Sequence, residues 1–219
     1  MALVEAAVDT LDAIGVAERA GVERIELCAA LSEGGVTPSS GFIAAAAARP
    51  LPVVPIIRPR GGNFVYSRPE IEIMRRDIEV ALSLGARGIA TGALSENGEI
   101  DLRAVKDLVA AAGAAPLTFH RAFDSVRDSA AALEQLIDLG VARVLTSGGA
   151  PTALDGAAKV AGLVERAAGR ITIIAAGKIR EDNVREVIRR TGVSEVHARA
   201  LEEAPMRALV SHARQPSPG

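Results

Sequence analysis

Val54-Pro55-Ile56-Ile57-Arg58-Pro59-Arg60-Gly61-Gly62-Asn63-Phe64 opens as an apolar, β-type run and stops abruptly at two arginines and two glycines. A strand buried on both faces of a sheet reads as a continuous apolar run, the mark of parallel strands covered by helices. Burial ends where Arg58 and Arg60 begin. They are two residues apart, which on an extended chain puts them on the same side. Pro59 fixes φ and removes a ladder donor, marking the strand's end, and Gly61-Gly62 allow a turn or a close approach to a ligand. Two guanidinium groups at the carboxyl end of a buried strand are costly to desolvate without a partner. They read as half of a pocket for an anion or a carboxylate pair. The alternative is that each arginine caps a loop or pairs with a structural carboxylate.

Outward from this stretch, short apolar runs alternate with longer amphipathic ones. Strand-like runs precede it at Leu3–Val8 and Arg24–Ala29, and follow it at Gly88–Leu94, Pro116–Phe123, Arg143–Thr146, Ile171–Ala175 and Glu195–Arg199. Between them lie helical segments with recognisable ends. Asp9 or Thr10 can cap the first and Gly21 can end it; Ser67 caps a long helix with Ile71, Met74, Ile78 and Leu82 at spacings of three and four. Strict strand–helix alternation demands parallel strands with right-handed crossovers. Eight such units in about 200 residues specify a single-domain (β/α)₈ TIM barrel over 1–219. A doubly wound open sheet is the alternative, but no nucleotide-type glycine signature follows the first strand. After Glu202 only Met206, Leu209 and Val210 keep helical spacing, so the eighth helix is expected to be short or missing and residues 212–219 a loose tail. Missing cover over the eighth and first strands would favour a twofold homodimer.

Composition narrows the function. Aromatics are 2% with no Trp and the net charge is −2, which argues against a nucleic-acid partner. No segment approaches the roughly 18 uncharged apolar residues of a membrane helix. The single cysteine, Cys28, excludes an intramolecular disulfide framework and fits a reducing compartment, so a cytoplasmic protein is expected.

In a barrel of this kind the active face is built at the carboxyl ends of the strands. Glu5, Glu26, Cys28, Arg58, Arg60, His120, Arg121 and His197 all fall on or near those ends. Glu26 and His120 are candidate acid and base, because burial and neighbours can tune both toward neutrality. Arg58, Arg60 and Arg121 would hold an anion, aided by the glycine-rich endings Ser147-Gly148 and Gly177-Lys178, whose N–H groups suit phosphate or carboxylate. A self-neutralised interior layer of Glu–Arg pairs is the alternative for Glu5 and Glu26. Cys28, His120 and His197 offer one thiolate and two imidazoles, a set suited to copper or zinc, although no two of them show ligand spacing.

The motifs Arg24-Ile-Glu-Leu-Cys-Ala29, Glu33-Gly-Gly-Val-Thr-Pro38, Pro55-Ile-Ile-Arg-Pro-Arg-Gly-Gly62, Thr118-Phe-His-Arg-Ala-Phe-Asp124, Arg143-Val-Leu-Thr-Ser-Gly148 and Glu195-Val-His197 resemble, in order, those of the CutC family. The resemblance spans roughly residues 3 to 207. It implies a cytoplasmic (β/α)₈ barrel named for copper homeostasis and described as copper-binding, with no established reaction, and makes copper the implied cofactor. Two departures stand out. Members often carry further cysteines where this chain has Cys28 alone, and they commonly continue past Pro205-Met206-Arg207 into a further helix.

Overall fold

The computed structural model describes residues 1–215. Eight strands, β1 (Leu3–Val8), β2 (Arg24–Leu27), β3 (Val53–Pro55), β4 (Ile89–Thr91), β5 (Leu117–Phe119), β6 (Arg143–Thr146), β7 (Thr172–Ala175) and β8 (Glu195–Arg199), alternate with eight helices. The helices are α1 (Leu11–Ala20), α2 (Ser40–Ala47), α3 (Arg68–Ser83), α4 (Leu102–Ala112), α5 (Ser129–Asp138), α6 (Ala157–Ala167), α7 (Val184–Thr191) and α8 (Glu203–Arg214). The sheet runs β3-β2-β1-β8-β7-β6-β5-β4, and every pairing in it is parallel. An isolated parallel bridge between Ile56 and Ala90 joins its two ends, supported by Ile57 N donating to Ala90 O at 2.7 Å and Thr91 Oγ1 donating to Ile57 O at 2.8 Å. The barrel is nearly closed.

Local chemistry sets the element ends. Thr10 caps α1 and Gly21 ends it in the left-handed conformation, at φ 81°. Ser67 and Glu70 form a reciprocal capping box at the start of α3. The main core lies between barrel and helices, where the inner faces of α3 (Ile71, Met74, Ile78) and α4 (Val105, Leu108) are almost wholly buried.

The C-terminal expectation needs correction. α8 is a full 12-residue helix that buries Met206, Leu209, Val210 and Ala213, and its Ala213 O accepts from Ala2 N at 2.9 Å. His212, Ala213 and Arg214 belong to it, while 216–219 of the expected tail lie outside the described residues. The turn Glu202–Pro205 hides the helix in sequence, because proline in the first turn starts a helix as readily as it ends one. The face over β8 and β1 is covered, so the premise for twofold association is gone. Among the described residues no helix is long and apolar enough to cross a membrane.

Candidate active site

The barrel interior carries a column of ionisable groups. At its amino end Arg24 donates to Glu5 through Nε and to Glu195 through a terminal nitrogen, with Arg143 3.6 Å from Glu195. Glu5 Oε1 lies 2.8 Å from His197 Nδ1, and His197 Nε2 lies 3.7 Å from Glu26 Oε2. Cys28 Sγ donates to Glu26 Oε2 at 3.5 Å. Inward positions alternate along a strand and neighbouring strands are in register, so Glu5 meets both Arg24 and His197 as direct lateral partners. The expected self-neutralised layer exists, but it belongs to Glu5, Arg24 and Glu195 rather than to Glu26.

The environment separates these groups chemically. Burial pushes Glu5 up, but the His197 hydrogen bond and charge and the Arg24 charge outweigh it and hold its carboxyl at about 2. Burial likewise works against charge on His197, and the carboxylates of Glu26 and Glu5 overcome it, raising the imidazole above its ordinary value. Glu26 is raised, chiefly by burial, with His197 opposing. Cys28 is pushed well up, first by burial and then by the adjacent Glu26.

Nearer the mouth, Arg58 is 5% exposed and has no carboxylate partner among the described residues. Its terminal nitrogens donate to the carbonyls of Glu33, Gly35 and Gly62 at 3.0, 2.9 and 2.8 Å. Gly34 and Gly35, at φ 83° and 85°, bring two of those carbonyls in; a Cβ on Gly35 would stand 3.2 Å from Cys28 Sγ. Thr37 Oγ1 both accepts from Arg58 N and donates to Arg58 O, fixing the residue's backbone. The guanidinium carbon sits 4.9 Å from the Phe64 ring centroid, and Phe64 in turn lies 5.1 Å from the His120 ring. Among the described residues Arg58 Nε, Tyr66 Oη and His120 Nε2 are all buried without a hydrogen-bond partner.

His120 is held at the end of β5. Its Nδ1 accepts from Ala122 N at 3.2 Å, turning the chain into a 3₁₀ segment over Arg121–Ser125 and ending the strand before the expected Phe123. A ring nitrogen that accepts carries no proton, so the hydrogen of the neutral ring is on Nε2. Burial first, and the Arg58 charge second, bring His120 down to about 3, so the ring is neutral at physiological pH. Gly92 of the β4 end makes room for it: a Cβ there would lie 2.9 Å from His120 Nδ1.

Glu26, Arg58, His120, Arg121 and His197 line one cavity of about 130 Å³, with Leu31, Ile56, Phe64 and Leu145 among its apolar walls. Thus the structure brings together both candidate acid–base residues and two of the three expected arginines. Arg60 is not among them. Its Nε donates to Glu70 at 2.6 Å and its terminal nitrogens to the carbonyls of Asn63 and Val65, against the Tyr66 ring. Extended alternation ends at Arg58, and the α3 capping-box carboxylate captures Arg60 instead. The capping pattern Ser67-x-x-Glu70 was the available signal.

The glycine-rich loops also differ from expectation. Asp124 Oδ1 accepts from Thr146 Oγ1, Ser147 N and Gly149 N at 2.6, 2.9 and 3.0 Å, and Oδ2 accepts from Ser147 Oγ and Arg121 Nε. The anion in this cradle is the chain's own carboxylate, while Gly148 N donates to Thr146 Oγ1. Gly177 serves close packing, its φ at 108° and its O accepting from Ala153 N. Lys178 follows in the left-handed region at φ 53°, exposed and outside the cavity lining. These two successive positive-φ residues turn the chain away from the strand direction.

Cys28, His120 and His197 do not fit a copper ion. Cys28 is fully buried, protonated and bonded to Glu26; His197 faces a carboxylate at each nitrogen; His120 Nδ1 accepts a backbone N–H. Among the described residues no three His, Cys, Asp or Glu side chains are grouped to hold a metal.

The CutC family's sequence profile matches residues 2–201. The chain belongs to the CutC family. It is 46% identical over 195 residues to a family protein CutC of Caulobacter vibrioides, covering 89% of this chain and 80% of that one. It is 45% identical over 208 residues to a human protein named copper homeostasis protein cutC homolog, covering 94% and 76%. The crystal structure of a putative copper homeostasis protein CutC from Streptococcus agalactiae superposes with a TM-score of 0.87 at 35% identity, covering 90% and 98%. The CutC fold of this chain is therefore the (β/α)₈ barrel, with the charged column and the Arg58–His120 pair at its carboxyl end.

Proposed function

We propose that this CutC chain binds a small organic anion at the carboxyl end of its barrel. The single observation carrying this is that two residues lining one cavity, Arg58 and His120, each hold a buried donor, Nε and neutral Nε2–H, with no hydrogen-bond partner among the described residues. Buried donors left without partners cost roughly 1–3 kcal/mol each, more for a charged one, and a carboxylate oxygen relieves both. Glu26, lining the same cavity with His197 beside it, would supply proton transfer. Isothermal titration with pyruvate, acetate and inorganic phosphate tests the reading. The carboxylates should bind, and Arg58→Gln should weaken them by at least about tenfold; equal binding to both proteins would reject it.

Copper homeostasis is the second reading, carried by the relatives' printed names. It comes to this chain as a role in the cytoplasm rather than as a copper centre of Cys28, His120 and His197. Titration against a competing Cu(I) chelator should find weak binding, because a buried thiol held protonated by its surroundings is a poor Cu(I) ligand. Tight binding that disappears in Cys28→Ser would reverse this expectation.

A further inference from the structure

We infer that the cavity takes a short-chain 2-oxo monocarboxylate and catalyses proton exchange at its C3 through an enolate, an inference that rests on the small-anion reading above. Four observations select the substrate class. The unpartnered donors come from two residues packed on the same Phe64 ring, so they suit two vicinal oxygens, a carboxylate and the adjacent carbonyl. Arg121 is occupied by Asp124 and Ser147, which leaves no second free cation among the cavity's lining for a dicarboxylate. The cradle after β6, where a phosphate could have rested, already holds the carboxylate of Asp124. Finally, the volume of about 130 Å³ and the apolar walls suit a tail of one to three carbons.

The same lining selects the chemistry. The chain has three lysines, Lys106, Lys159 and Lys178, and none lines the cavity. An imine between enzyme and carbonyl is therefore not the route. The alternative is electrophilic: a neutral imidazole donor and a guanidinium stabilise negative charge on the carbonyl oxygen as it develops. In the forward step the Glu26 carboxylate takes a proton from C3. The C3–H electron pair becomes the C2=C3 double bond, and the carbonyl π pair moves onto O2, which accepts from His120 Nε2–H while Arg58 holds the C1 carboxylate. The Glu26 carboxyl then trades its proton with solvent, and in the reverse step it returns a solvent-derived proton to C3 as the carbonyl re-forms. Nothing is oxidised or reduced. Burial, which raises Glu26, also makes it a stronger base than an ordinary carboxylate. His197, held by Glu5, lines the cavity beside Glu26 and is a positioning residue for its carboxylate.

The test follows the C3 proton signal of 2-oxobutanoate by NMR in D₂O with catalytic amounts of the full chain, alongside binding read from the His120 ring resonances. Exchange should be at least about 100-fold faster than with Glu26→Gln, should fall similarly with His120→Asn, and should persist in Lys178→Ala. Circular dichroism establishes that the variants are folded, and retained 2-oxobutanoate binding in Glu26→Gln separates lost chemistry from a lost site. Binding without exchange overturns the inference while the anion pocket stands. Absence of binding overturns both. Exchange that survives Glu26→Gln and His120→Asn, or is lost in Lys178→Ala, also overturns it.

Discussion

At the residue scale, Glu5 joins Arg24 to His197 and so ties three strands together through one carboxylate. Its carboxyl is lowered from 4.5 to about 2, so the folded form releases the proton more readily than the unfolded chain. The stability this confers is present above pH 4.5 and lost as pH falls toward 2, an effect of about 3 kcal/mol. His197 has the opposite sign: raised above 6.5, it stabilises fully below that value and loses its contribution as pH climbs through its folded pKa. Glu5→Gln should cost about 3–5 kcal/mol at neutral pH, because it removes a charged partner shared by the buried Arg24 and His197, and should flatten the acid limb of stability. Urea unfolding across pH 2–7 measures both; an unchanged acid limb would mean Glu5 is not the linked group. Gly92→Ala tests the His120 pocket sterically, since the new methyl would press on the ring at 2.9 Å. It should abolish pyruvate binding while leaving the fold intact by circular dichroism, and unaltered binding would place the ligand elsewhere. Legibility at this scale was uneven. Alternation along β1, β2 and β8 made Glu5, Glu26 and His197 readable as interior residues, and Arg58 was readable from the end of an apolar run. Arg60 was not, because alternation fails once Pro59 ends the strand and a cap carboxylate from α3 decides the rotamer.

At the element scale, the connection from β6 to α6 is built around Asp124. Five donors converge on its carboxylate from Arg121, Thr146, Ser147 and Gly149. The glycines were legible as a loop after a strand, but the identity of the anion was not, since Asp124 lies 22 residues or more upstream of most of its donors. Asp124→Ala should destabilise by about 3–5 kcal/mol, as buried donors lose their acceptor. Asp124→Asn, which keeps one acceptor oxygen, should cost less. Gly156→Ala is the more severe change, for its Cβ would fall 1.9 Å from Ser147 O. Denaturant midpoints rank the three, and a Gly156→Ala protein as stable as the parent would show that the loop has room to shift.

For the whole molecule, alternating apolar and amphipathic segments made the eight-unit barrel readable, because parallel strands buried on both faces leave a continuous apolar trace. The last helix escaped because its apolar positions, Met206, Leu209, Val210 and Ala213, cover only one stripe of a short segment that opens with a proline at its third residue. Leu209→Ala should cost about 2–5 kcal/mol if α8 is the cover of β8 and β1. With that cover in place, sedimentation velocity at micromolar concentration should show a single chain throughout; a dimer would have to use another face. The most direct test of the barrel mouth is a histidine-selective ¹H–¹⁵N NMR titration with pyruvate, practicable because the chain has only three histidines. His120 should be a neutral Nε2–H tautomer down to about pH 5, His197 should titrate above the ordinary imidazole value, and pyruvate should shift Nε2 of His120 but not His212. A protonated His120 at pH 6, or resonances unmoved by saturating pyruvate, would contradict the anion site.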